Sequence, residues 1–344
     1  MGYIACEVDK VQRRLGKAKL NVADLFSGSG VVSRFFKAHA SLVISNDIED
    51  YAAAISRCYL RNKSEIDINI LNNIVEDFNK RVDFGPFTGG FIEEMYSPKD
   101  EENIKIEDRV FYTRSNARRI DNYRHLIGSL PNELQDLLLG PLLSEASIHA
   151  NTSGVFKGFY KNRLTGIGQF GGSGRDALSR ILGKITLEAP ILSNFECEYL
   201  VYQEDANEVA KKLKNIDLVY LDPPYNQHPY GSNYFMLNLI TTYRPPERVS
   251  RVSGIPVDWR RSGYNIKSKS LDLLEDIVRG VAAPFVLISF NNEGFISLEN
   301  TSNMLSNIGK FDLTEIRYNV FKGSRNIYKR SIYVNEYLFL LEKR

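Results

Sequence analysis

The residues best suited to chemistry stand together at Asp222-Pro223-Pro224-Tyr225, directly after the apolar run Leu218 to Leu221. A carboxylate, two rigid residues and an aromatic face at the end of a buried strand suit an exocyclic amine on a flat base. The prolines fix φ and remove two backbone donors, so nearby carbonyls stay free to accept hydrogen bonds from a ligand and the turn cannot relax. Asp-Pro-Pro also forms ordinary turns, so the weight of this reading depends on the segments that accompany it.

The second such segment is Asn21-Val22-Ala23-Asp24-Leu25 running into Phe26-Ser27-Gly28-Ser29-Gly30, with the helical pattern Val31, Val32, Phe35, Phe36 behind it. Gly28 and Gly30 allow positive φ and close backbone approach, and the following helix offers free N–H groups, as a nucleotide-like cofactor requires. The dinucleotide fingerprint wants a third glycine at position 33, where this chain has Ser33. A third signal is Asp47, after the apolar strand Ser41 to Ser45; an acid there can hold a ribose diol or cap a helix. Asp205, between Tyr199-Leu200-Val201-Tyr202 and Val209-Ala210-Lys211-Lys212-Leu213, can either cap that helix or accept a proton from an adenine amine.

The elements that must position these groups follow from hydrophobic period. Residues 20 to about 60 read as strand, glycine turn, helix, strand, helix, the opening of a doubly wound α/β sheet. The alternation stops for well over a hundred residues and resumes near Glu198, so the intervening segment is expected to be a separate recognition insert. Asn215 to Leu221, an apolar and β-branched run, reads as a parallel strand buried on both faces, beyond whose carboxyl end ligands bind. Pro284 to Phe290, Leu313 to Phe321 and Ile332 to Leu341 close the sheet, the last two as a hairpin. Residues 226 to about 270 read as a long polar loop.

The insert interleaves basic and aromatic residues. Arg114, Arg118, Lys157 and Lys161 lie among Phe111, Tyr112, Tyr123, Phe156 and Phe159, and Arg325 stands between the last two strands. Such cations neutralise phosphates and position a duplex, while for any single one a solvated helix face is the plainer account. Ser115 to Leu130 has the spacing of an amphipathic helix, and Thr165 to Arg175 is a glycine-rich loop without the Lys-Ser/Thr ending of a triphosphate site.

Composition sets outer limits. With 344 residues the chain can bury a substantial core, and its net charge of +2 leaves any attraction to phosphate to segregated patches. Three cysteines, Cys6, Cys58 and Cys197, and four histidines support neither a metal cage nor a disulfide framework. No apolar run approaches the ~20 residues that span a bilayer, and a soluble, cytoplasmic protein without membrane contact is expected.

Taken in order, the glycine turn, the strand-terminal Asp47 and Asp205, and Asp222 to Tyr225 resemble the S-adenosylmethionine-dependent DNA adenine methyltransferases. The cofactor motif comes first and the catalytic motif late, similar to the alpha-class, Dam-type enzymes of restriction-modification systems. Asn151 to Lys157, Gly231 to Asn238, Gly323 to Asn326 and Asn335 to Leu341 resemble further blocks of that group. The resemblance implies a Rossmann-like methyltransferase sheet over residues 1–62 and 190–344, with a mostly helical target-recognition insert over 63–189. It further implies S-adenosylmethionine as cofactor, no metal, and double-stranded DNA as substrate, with a companion restriction endonuclease as a further partner. Asp222, Pro223, Pro224 and Tyr225 would then be catalytic. Phe26, Ser27, Gly28, Ser29 and Gly30 would surround the cofactor's methionine end, Asp47 its ribose and Asp205 its adenine amine.

Members of the group usually open with a Gly-x-Lys segment at the methionine end. This chain begins Met1-Gly2-Tyr3-Ile4-Ala5-Cys6-Glu7, which leaves Lys10 or Lys17 as substitutes. RNA adenine or guanine methylation, methylation of cytosine's amino group, a non-catalytic DNA-specificity protein on the same fold, and a nicotinamide-dependent oxidoreductase are the alternative readings.

Overall fold

A computed structural model describes residues 1–344 apart from 88, 173, 176 and 320–332. The chain forms two compact units, one of residues 1–56, 193–229 and 261–344, the other of 57–192 and 230–260.

The first unit is built on a seven-stranded sheet in the order β3-β2-β1-β4-β5-β7-β6. Its strands are β1 (Leu20–Asp24), β2 (Ala40–Asn46), β3 (Glu198–Tyr202), β4 (Leu218–Leu221), β5 (Phe285–Asn291), β6 (Gly309–Asn319) and β7 (Tyr333–Lys343). The first five strands pair in parallel, and β7 enters antiparallel between β5 and β6. This is the α/β doubly wound sheet expected from the sequence. β4 is buried along its whole length, as its uninterrupted apolar run requires. The strand order reverses at β1 and β4, whose carboxyl ends are therefore the topological switch point where such sheets take ligands.

The helix Gly2–Leu15 buries Ile4, Val8 and Val11 and ends at Gly16 in the left-handed region. On another face of the sheet, Val209, Ala210, Leu274, Ile277 and Val278 pack with Val219, Leu221, Val286 and Ile288.

The second unit is helical, with helices Ile68–Phe84, Arg114–Gly128 and Asn132–Ile148 as its longest described elements. Asp67 and Thr113 cap the first two through side-chain acceptance of backbone N–H groups. Residues 226 to 270 are not one polar loop. They include the helix Phe235–Thr242, whose Phe235, Met236, Leu237 and Ile240 are buried in the second unit, and Phe235 lies edge-on to Phe111 at 5.7 Å. The helix escapes a reading for polar content because it is only eight residues long and its apolar residues are interrupted by Asn238 and followed by Thr241 and Thr242. The segment 230–260 accordingly belongs to the second unit, whereas the sequence expectation had assigned it to the first.

Candidate active site

The glycine turn is built as its residue types demand. Gly28 and Gly30 have φ of 50° and 72°. A side chain at Gly28 would meet nothing within 4 Å, so backbone conformation and not crowding calls for glycine there. Asp47 fixes the turn: one carboxylate oxygen accepts from Gly28 N at 2.8 Å and the other from Glu49 N at 2.9 Å. Burial pushes the Asp47 carboxyl above its ordinary range, opposed by those same N–H donors.

Asn46, which the sequence reading passed over, ties three strand ends together. Its amide donates to the carbonyls of Leu25 and Glu204 at 3.1 and 3.2 Å and accepts from Glu204 N at 3.1 Å.

Beneath the turn lies a chain of buried hydroxyls. Ser33 donates to Asp24 at 2.6 Å and lies 3.1 Å from Ser45, Ser45 lies 3.0 Å from Ser56, and Ser56 lies 3.4 Å from Ser27. The serine that replaces the third fingerprint glycine thus supplies a partner for an acid with no solvent exposure. Asp24 Oδ1 remains without a hydrogen-bond partner among the described residues. Burial pushes the Asp24 carboxyl up to about 7, against the lowering effect of Ser33 and with a further rise from the charge of Asp47. The signal that could have singled out Asp24 was its place at the end of β1, two residues before Phe26.

At the far side of the turn, half-buried Phe26 meets the ring of Tyr264 edge-on at 5.1 Å. Asp205 does cap the helix Ala206–Lys212: its Oδ1 accepts from Asn207 N at 2.9 Å and Glu208 N at 3.4 Å, which leaves Oδ2 outside the cap. Asn207 is itself held by Tyr264 and Asp276.

Asp222 follows the last residue of β4, and Leu25 N donates to Tyr220 O at 3.2 Å, so the acid stands beside the start of the glycine turn. Its side chain is open to solvent although protein atoms crowd the carboxyl from behind. A base can therefore reach the carboxyl, which water solvates poorly. Burial pushes Asp222 up to about 7, with further rises from the negative charges of Glu336 and Asp24. Among the described residues neither the Asp222 carboxylate nor the Pro223 carbonyl accepts a hydrogen bond. Tyr225 is partly buried, its carbonyl taken by Phe295 N at 2.8 Å and its ring edge-on to Phe290 at 6.4 Å.

Two free acceptors, one of them a carbonyl held in a proline pair, beside an aromatic ring can accept both protons of an aromatic amine and so draw its lone pair out of conjugation. A model of the D12 class N6 adenine-specific DNA methyltransferases matches residues 7–252. The chain belongs to that family.

As a D12 class methyltransferase it requires a methyl donor and acts on DNA adenine. It is 30% identical over 330 residues to the Type II methyltransferase M.NlaIII of Neisseria lactamica, covering 93% of this chain and 90% of that protein. It is 28% identical to the Type II methyltransferase M.CviAII of Paramecium bursaria Chlorella virus 1, over 99% of this chain and 98% of that one. The Type II methyltransferase M.FokI of Planomicrobium okeanokoites is 26% identical over 93% of this chain, which spans 48% of that longer protein.

The lysines weighed as substitutes for the family's N-terminal Gly-x-Lys are engaged elsewhere. Lys10 pairs with buried Glu7 at 2.9 Å. Lys17 pairs with Asp217 at 2.7 Å, just before β4 and hence at the end of the sheet opposite the glycine turn.

In the second unit, Arg114 and Arg118 both donate to Glu93 Oε1, at 2.9 and 2.7 Å, so one carboxylate serves two guanidiniums. The Lys161 ammonium lies 5.0 Å over the Phe159 ring. Lys157 is exposed and forms no ion pair among the described residues. Arg325 lies outside the described residues. No helix among the described residues is long and apolar enough to cross a membrane, and no group of His, Cys, Asp or Glu among them is arranged to hold a metal ion.

Proposed function

We propose that this chain is the modification half of a restriction-modification pair, a site-specific alpha-class enzyme that methylates the exocyclic nitrogen of an adenine flipped out of duplex DNA. Its methyl donor is S-adenosylmethionine, its first unit does the chemistry, and its second unit reads the target. A companion endonuclease with the same site follows from that role, by analogy with the modification methylases it resembles.

The observation that carries this reading is a pair of acceptors at the end of β4, the Asp222 carboxylate and the Pro223 carbonyl, neither of which has a hydrogen-bond donor among the described residues. Adenine's amino nitrogen is a poor nucleophile because its lone pair is delocalised into the ring. Accepting both amino protons favours the pyramidal form and localises that pair for in-line attack. Asp222 also offsets the positive charge that develops on nitrogen. Tyr225 stacks on the extruded base and compensates part of the stacking lost from the duplex.

The cradle fits a cationic cofactor. Asp24 has an orphaned buried oxygen, and neither it nor Asp222 has an ion-pair partner among the described residues. Phe26 to Gly30 would hold the methionine end, Asp47 the ribose and Asp205 the adenine amine through its second oxygen. When bound, S-adenosylmethionine supplies an electrophilic methyl group on a sulfonium.

Expression in cells lacking adenine methylation, followed by modification-sensitive sequencing, tests the reading. N6-methyladenine at a single sequence context is expected, and none with Asp222→Ala, whose cofactor binding by calorimetry stays near that of the wild type. Methyl transfer to ribosomal RNA in preference to duplex DNA, or near-normal turnover in Asp222→Ala, would refute it.

A further inference from the structure

The β4–β5 register ends at the Leu221–Ile288 pair, so Asp222 and Ser289 are the residues that follow it on the two chains. Ser289 in turn is registered with Leu338 on β7, and Glu336 lies two residues before Leu338, on the same face. Ser289 Oγ donates to Glu336 Oε1 at 2.9 Å. Tyr220, two residues before Asp222, sits on that face between Asp24 and Leu287, with its hydroxyl against Ser289. Three carboxylates, Asp24 on β1, Asp222 just after β4 and Glu336 on β7, therefore lie around one buried tyrosine. None of them has an ion-pair partner among the described residues.

We propose that Glu336 is a positioning residue for the reaction: its negative charge, fixed by Ser289, makes Asp222 the group that receives a proton from the methylated amino nitrogen. The inference rests on the adenine-methylation reading above. After the nitrogen gains its new carbon it carries four bonds and a positive charge. One N–H bond breaks and its electron pair stays on nitrogen, which becomes neutral. The proton forms an O–H bond with Asp222 and later leaves to water.

An isolated aspartate is a weak acceptor, and a second fixed carboxylate beside it raises its affinity for a proton. The direction agrees with the influence that Glu336, ahead of Asp24, has on Asp222. The other titratable groups on this face are Asp24 on β1 and Tyr220 on β4. Farther along, beyond β7, Glu7 of the first helix is bonded to Thr314 on β6 and to Lys10. The Glu7–Lys10 pair is self-compensating, so it does not reproduce the effect of Glu336.

Glu336→Gln keeps the shape and the Ser289 contact while removing the charge. In the cofactor-free protein, infrared titration of the carboxyl band that Asp222→Asn deletes should show Asp222 losing its proton about one pH unit lower in Glu336→Gln. In single-turnover methylation of duplex DNA, the acid limb should move to lower pH and the plateau should fall roughly tenfold. Glu336→Asp should restore part of both. Should Glu336→Gln not fold, Ser289→Ala, which frees the carboxylate without removing it, should give a smaller shift in the same direction. An unmoved Asp222 titration, in either folded variant, overturns the inference. A wild-type protein that transfers no methyl group to DNA refutes the adenine-methylation reading instead, and the infrared titration then still decides the role of Glu336.

Discussion

Ser33 donates its hydroxyl to Asp24 at 2.6 Å, and both side chains are wholly buried beneath the glycine turn. The position that would be a third glycine in a dinucleotide fold thus holds a hydroxyl that satisfies a buried acid. Ser33→Ala leaves that oxygen unpaired and should destabilise the protein by roughly 1–3 kcal/mol. Urea unfolding measures the loss, and calorimetry with S-adenosylmethionine should show weaker binding as the turn loosens. Unchanged stability and affinity would mean that the hydroxyl chain is incidental.

Asp24 gives a pH signature of defined sign. Burial pushes its carboxyl up to about 7 in the folded state, against an ordinary value of 3.8. Between those values the native state keeps a proton that the unfolded state has lost, so stability falls as pH rises through that window and stays lower above it. Relative to Asp24→Asn, the wild type should lose on the order of 2–4 kcal/mol across it, read from urea midpoints at a series of pH values. Parallel curves for the two proteins would contradict the assignment.

The stacking role proposed for Tyr225 uses its ring face and not its hydroxyl. Tyr225→Phe should keep nearly full activity, whereas Tyr225→Ala should lose most of it on paired adenine, since base stacking contributes roughly 1–3 kcal/mol. The loss should shrink when the target adenine faces a mismatch or a gap, because less pairing has to be broken. Equal losses on paired and unpaired targets would rule out a role in holding the extruded base.

The basic residues of the second unit separate by their partners. Lys157→Ala should weaken DNA binding about equally on every sequence and lower the slope of log affinity against log salt by about one. Arg114→Ala or Arg118→Ala should change that slope less, since Glu93 already neutralises part of their charge. A larger slope change for either arginine than for Lys157 would reverse this ranking.

Much of the first unit was legible because its chemistry is local. The glycine turn, Asp47 behind β2 and the Asp-Pro-Pro-Tyr run each join residue types whose backbone demands can be read within a few positions. Asp205 was open between two roles, and the backbone N–H groups of Asn207 and Glu208 show that it caps a helix, at least with Oδ1. The helix Phe235–Thr242 was missed because its short apolar run is embedded in polar sequence.

The strands and the backbone of the glycine turn were therefore legible in the sequence alone, since each depends on short-range backbone geometry and hydrophobic period. Only the tertiary structure decided which charges meet. Glu336 reaches the neighbourhood of Asp222 because β7 inserts antiparallel beside β5, and Arg114 and Arg118 share Glu93 because two helices pack together. Electrostatic pairing depends on distance through space, which strand order and helix packing fix and spacing along the chain does not.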